Sequence, residues 1–206
     1  PKDARAAVVH YDYMVVAGTQ GGRGHYKQDR IYELAGRFRL PLILFAEGGG
    51  GRPGISGGEP KEKHDLAVES GLRRPGDEGP KASVVDLAGR GGGGVPVDSY
   101  TFSKLCELSG LVPLVGVNSG RCFAGNTVML ASCDVIIAAE NSTIGLGGPA
   151  MIEGGGLGIY TPEEVGPMSF QVPNGVVDIL VKDDEACIET AKQYLYYFQG
   201  AVDQWE

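Results

Sequence analysis

The chain has 206 residues, 42% of them hydrophobic, which is enough to bury the core of one domain and at most a small appendage. A net charge of −8 and an isoelectric point near 4.9 argue against attraction to nucleic acid or to an anionic membrane surface. No stretch has the continuous apolar length of a membrane span and no charged-then-apolar leader is visible, so the chain reads as soluble and unexported, cytoplasmic or, in a eukaryote, of the mitochondrial matrix. Its first residue, Pro1, reads as the start of a processed or trimmed piece. The four cysteines Cys106, Cys122, Cys133 and Cys187 lack metal-binding spacing and are expected as reduced thiols, and His10, His25 and His64 are scattered, so no metal site is expected.

In chain order, residues 4–10 and 13–17 are two short β-rich runs separated by Asp12, expected as a paired start to a sheet. GTQGGRG at 18–24 leads into 26–39, where Ile31, Leu34, Ala35 and Phe38 recur at helical spacing. The glycines lack the GxGxxG spacing of a dinucleotide site and no acidic residue follows at the right place, so a plain turn that brings backbone close to backbone is expected. LPLILF at 40–45 is a buried strand. It runs into Glu47 and the glycines 48–51, whose bare amides and lack of bulk suit close approach to a ligand, with Arg52 beside them for a phosphate, a carboxylate or a surface ion pair.

From 53 to 94 glycine, proline and charge replace large apolar residues, and the segment reads as a long excursion with one short helix near 61–70. Residues 97–109 are expected as a helix capped by Asp98 or Ser99, with Phe102, Leu105 and Leu108 on one face. The organising unit is 111–139: strand 112–117, a tight glycine turn, a helix over 124–133, and strand 134–139. At the turn, small residues at Ala124 and Gly125 leave the first helical amides bare, an oxyanion hole in outline. A strand at 143–146 precedes a second glycine-dense segment, 147–158, expected to converge with the first on one ligand through Gly148 and Pro149. Thr161 and Pro162 mark a capped helix start, 176–181 a further strand, and 183–198 a terminal amphipathic helix. The alternation makes the fold α/β.

Gly120-Arg121-Cys122-Phe123-Ala124-Gly125, the ASCDVII run at 131–137, Gly148-Pro149, the PEEVG run at 162–166, NGVVD at 174–178 and Asp183-Asp184-Glu185 resemble, in order and spacing, the carboxyltransferase subunits of biotin-dependent acyl-CoA carboxylases. The resemblance covers nearly the whole chain outside 53–94. It implies a crotonase-like ββα spiral, as in the ClpP/crotonase folds, and a single domain over 1–206 corresponding to the acyl-CoA-binding half of a two-domain subunit. It further implies carboxyl transfer from carboxybiotin to the α-carbon of a coenzyme A thioester, with paired amides at Ala124 and Gly125 stabilising an enolate and Gly49, Gly50, Gly51, Arg52, Gly148 and Pro149 around the acyl-CoA. Many carboxyltransferases carry glycine where Ala124 stands. The partners implied are biotin carboxylase, a biotin carboxyl carrier, a second crotonase-type half and further copies of the subunit, with the aromatics Tyr194, Tyr196, Tyr197, Phe198 and Trp205 suited to an interface.

Three rivals share some of these residues. In a crotonase-type hydratase the two catalytic glutamates would fall at Val128 and Gly148, neither of which moves a proton, although decarboxylation needs only the enolate hole. A cysteine hydrolase would use Cys122 on a strand-to-helix turn. A non-catalytic assembly subunit would use the fold as a scaffold.

Overall fold

The computed structural model describes residues 5–51 and 100–198. In chain order the elements are β1 (Ala7–His10), α1 (Gly22–Phe38), β2 (Leu42–Phe45), α2 (Thr101–Cys106), β3 (Leu114–Asn118), β4 (Arg121–Phe123), α3 (Gly125–Leu130), β5 (Val135–Ala139), β6 (Thr143–Gly145), α4 (Pro149–Gly154), α5 (Met168–Gln171), β7 (Ile179–Val181) and α6 (Asp184–Tyr196). Five strands form one parallel sheet in the order β1-β2-β3-β5-β7, and β4 pairs with β6, also in parallel, in a second small sheet. Strand, strand, helix is thus repeated as β3-β4-α3 and β5-β6-α4, each turn returning the chain to the main sheet beside the previous strand. This is the α/β, crotonase-like architecture expected.

The central strands β3 and β5 are buried at all five positions, LVGVN and VIIAA, as a parallel sheet covered on both faces requires. One face meets α1, α2 and α3 through Leu42, Leu44, Leu114, Tyr32, Leu105 and Met129. The other meets α6 through Val115, Val117, Ile137, Cys187 and Ala191. Two aspartates fix strand starts: Asp134 accepts from Leu114 N at 2.8 Å and Asp178 from Ile136 N at 2.7 Å. Both lie in motifs that carried the family resemblance, and both serve the sheet.

Several sequence expectations need correction. Residues 13–17 are not a strand: Asp12 Oδ1 accepts from Met14 N at 2.9 Å, the chain turns, and a 3-10 turn at Val16–Gly18 follows with Val16 and Ala17 at positive φ. The central helix stops at Leu130 rather than 133, and the glycine turn before it holds the strand β4, which is only three residues long. The last strand begins at Ile179, because Val176 and Val177 close a turn onto Gln171 O. Helix α2 starts after Tyr100 without a side-chain cap, and Asp98 and Ser99 lie outside the described residues. The segment 147–158 contains α4, and Thr161 opens a single 3-10 turn, Pro162–Glu164. The excursion 53–94, its helix at 61–70, Arg52 and Trp205 also lie outside the described residues. Asp183 caps α6 as its sequence suggests, accepting from Ala186 N at 3.0 Å.

Candidate active site

The turn between β4 and α3 is held in a conformation that side chains avoid. Ala124 has φ 53° and ψ −125°, outside the allowed regions for an L-residue with a Cβ, and such strain persists only where surrounding contacts dictate it. They do so here. Ala124 N donates to Gly145 O at 3.2 Å, and Thr127 Oγ1 reaches both Cys122 O at 2.9 Å and Gly145 O at 3.0 Å, so β6 grips the turn from one side.

From the other side comes the segment after β2. A Cβ on Gly50 would lie 2.5 Å from Ala124 Cβ and 3.0 Å from Gly125 N, and Gly50 has φ +85°, so only glycine fits. Asn126, fully buried, locks this approach. Its Oδ1 accepts from Gln20 Nε2 at 2.8 Å and from Gly50 N at 3.1 Å, and its Nδ2 donates to Ala46 O at 3.1 Å and Glu47 O at 3.3 Å. Behind Gln20 the buried network continues: Gln28 Nε2 donates to Gln20 Oε1 at 3.1 Å, and Tyr11 Oη to Gln28 Oε1 at 2.6 Å. Burial raises the pKa of Tyr11 far above the usual phenol value, which keeps it a donor.

A count of amides decides what the turn can offer. Gly48 N donates to Arg121 O, Gly49 N to Ala17 O, Gly50 N to Asn126 and Ala124 N to Gly145 O. The donor expected at Ala124 is therefore already engaged. The amides of Gly51 and Gly125 have no acceptor among the described residues; Gly51 follows Gly50, which packs on Gly125. Gly51 and Gly125 are both partly open to solvent. Gly148 caps α4 and faces the ring of Phe123, the residue before Ala124, at 3.6 Å from its Cβ position, with Pro149 opening the helix. The second glycine segment thus touches the turn at this one end.

Two further ionisable groups lie beside the turn. Cys122 is fully buried and desolvation pushes its thiol up to about 12, so no thiolate nucleophile is available at neutral pH; the strained elbow position is occupied by Ala124. Glu47, at the end of β2, accepts from Ser119 N, and burial raises its pKa, with Asp184 adding to the rise and His10 opposing it. It points at the β3–β4 loop, not at the bare amides. No group of three metal-ligating side chains occurs among the described residues, and no helix there is long and apolar enough to cross a membrane.

Asn126 and Gln28 escaped sequence reasoning because buried amides on helices look like surface positions, and Gln20 because it stands in the loop before α1. The signal was present: asparagine directly after the Ala-Gly turn, where a hydrophobic residue would otherwise begin the core face.

Comparison with known proteins places the chain in a family. The carboxyl transferase domain model matches residues 78–205, more than half of the chain. A Bacillus subtilis protein described as an uncharacterised carboxylase, YngE, is 27% identical over 193 residues, covering 93% of this chain and 32% of that protein. A single-chain, multi-domain long-chain acyl-CoA carboxylase of known structure is 47% identical with a TM-score of 0.70, and 98% of this chain corresponds to 16% of it. Transcarboxylase 12S, solved as a hexamer with methylmalonyl-CoA bound, is 22% identical with a TM-score of 0.64 over 91% of this chain and 30% of its own, a likeness of fold. The chain thus spans a third or less of each of these relatives. It belongs to the carboxyl transferase domain family.

Proposed function

We propose that this chain is the acyl-CoA half of the carboxyltransferase component of a biotin-dependent acyl-CoA carboxylase. The observation that carries the reading is the pair of acceptor-free amides, Gly51 and Gly125, at the Gly50 contact. A thioester oxygen accepting from both would be polarised in the ground state and held more strongly as an enolate oxygen, because the donors are fixed before the charge develops. A single donor of this kind is worth about 3–4 kcal/mol of barrier. Ala124 shapes the turn and Gly50 gives access to it, while Gly49, Arg52, Gly148 and Pro149 stand as the surrounding acyl-CoA contacts.

The bare amides fit an oxygen that gains negative charge, and the thioester oxygen does so as the enolate forms. Carboxybiotin on a carrier domain would supply the carboxyl group and a basic nitrogen for the α-proton. The surface that receives it belongs, on this reading, to a second crotonase-type half contributed by another subunit, with biotin carboxylase and carrier components in the assembly. The exposed aromatics Tyr196 and Tyr197 at the end of α6 support association between copies.

The test removes one donor. Proline is tolerated at the first helical position but restricts the residue before it, and Ala124 at ψ −125° could not comply. Gly125→Pro is therefore compared with its Ala124→Gly parent in the full-length protein. Carboxyl transfer should fall about 100-fold to 1000-fold with melting unchanged. An equal rate in the two variants would remove the assignment.

A further inference from the structure

The space in front of Gly125 has two walls. A Cβ placed on Gly125 would lie 3.9 Å from Gly50 Cα on one side and 3.5 Å from Cζ of Phe102 on the other. On α2, Thr101 and Leu105 are fully buried, whereas Phe102 packs against the core only in part and brings its Cζ to the turn. We propose that Phe102 is the wall against which the acyl group packs, so that its bulk selects which acyl-CoAs the site accepts. The proposal rests on the reading of Gly125 as a thioester donor and deepens it.

The chemistry favours the acyl chain over the rest of the thioester. An oxygen bound by the Gly125 amide places its carbonyl carbon, and then the α-carbon, within a few bond lengths of that amide. A phenyl edge there offers no hydrogen bond to the amides of a pantetheine arm and no charge to a phosphate. It does offer dispersion contact to hydrocarbon.

A selecting wall has to be rigid, and a six-residue helix is not rigid by itself. The structure supplies the stiffness from α1. Asp29 Oδ1 accepts from Thr101 Oγ1 at 2.6 Å and Oδ2 from Tyr100 N at 3.1 Å, fixing the first turn of α2 at both points. His25 Nδ1 lies 3.1 Å from Thr101 Oγ1, and its ring packs on Phe102 with centroids 6.3 Å apart. Desolvation lowers the His25 pKa, so the imidazole stays neutral and can remain buried against the phenyl ring. One turn further on, Lys104 pairs with Glu33 of the same helix α1. Asp29, Thr101 and His25 act through Phe102 and are positioning residues.

The experiment measures kcat/KM for carboxylation of a saturated acyl-CoA series from acetyl to palmitoyl, using the full-length protein and its Phe102→Ala, Phe102→Leu and Phe102→Trp variants, each checked by thermal melting. Phe102→Ala should raise the ratio of longer to shorter acyl-CoAs by about 10-fold or more. Phe102→Leu should move the ratio in the same direction by less, which keeps the test alive if the alanine variant does not fold, and Phe102→Trp should move it the opposite way. A folded variant whose kcat/KM changes by one common factor across the series would place the ring against coenzyme A or in a purely structural role and overturn the proposal, as would no change at all. A wild-type protein that carboxylates no acyl-CoA in the series, supplied with its biotin components, would instead overturn the carboxyltransferase reading itself, and this proposal with it.

Discussion

Two parts of this chain are rich in glycine, and they use it for different ends. In 48–51 the glycines make room: a Cβ at Gly48 would lie 2.3 Å from Asn126 Nδ2, and one at Gly50 would collide with Ala124. In 147–158 the space is mostly open, with nothing within 4 Å of a Cβ at Gly154 or Gly156, and α4 has no buried residue at all. Met151 and Leu157 there are 66% and 73% exposed. Richness in glycine therefore marks a packed junction in one place and a loosely attached surface segment in the other. What separates them is the neighbour each glycine would meet, which is a property of the fold.

This contrast can be tested by giving both regions the same insult. Gly50→Ala adds a methyl group where a Cβ and a backbone amide already stand, at φ +85°. Its expected cost is about 2–5 kcal/mol, overpacking plus backbone strain, seen as a lower denaturation midpoint and lost carboxyl transfer. Ala124→Gly in the same chain removes the Cβ–Cβ collision and should recover part of the loss, so the double-mutant cycle should be clearly non-additive. Additive effects would mean the two segments do not press on each other.

Asn126→Ala is expected to cost about 2–4 kcal/mol, since it strips buried partners from Gly50 N, Gln20 and the carbonyls of Ala46 and Glu47. Urea titration measures this. A neutral substitution would show that the network is ornamental to stability.

Glu47→Gln should have a smaller effect and one that depends on pH. Burial raises the folded-state pKa of Glu47, so its favourable contribution is complete below the unfolded carboxylate range and is lost as pH rises through the folded value. The variant should flatten the fall in stability just above that range and match or exceed the wild type at neutral pH, while keeping the acceptor for Ser119 N. Melting temperatures from pH 4 to 8 would reveal a parallel pair of curves if the argument is wrong.

Gly154→Ala is expected to do least, a gain of at most about 1 kcal/mol from better helix propensity at an open position. A loss as large as that at Gly50 would erase the distinction between the two segments.

Much of the fold was legible because its signals are local and redundant. The runs at 42–45 and 135–139 are continuous and apolar, and α1 forms where helical spacing was read, although Leu34 and Phe38 of that spacing are exposed and the buried face carries His25, Gln28, Asp29, Tyr32 and Ala35. The turn at 124–125 was legible through small residues between a strand and a helix. The engagement of Ala124 N by Gly145 and of Gly50 N by Asn126 was not, because it depends on residues 21 and 76 positions away. The strand expected at 13–17 failed for a related reason: its apolar residues look like a strand by pattern, yet Met14 is 91% exposed and no neighbouring strand is placed to receive it. Pattern reports what a segment prefers, and pairing is decided elsewhere.

Asn126 bonds to residues 20, 46, 47 and 50, separated from it by 106, 80, 79 and 76 positions. Such contacts close long loops, whose entropy must be offset by the rest of the fold. A partly folded form that lacks them keeps only the grip of β6 on the turn, through Gly145 O. One side chain thereby ties the geometry of the proposed site to complete folding.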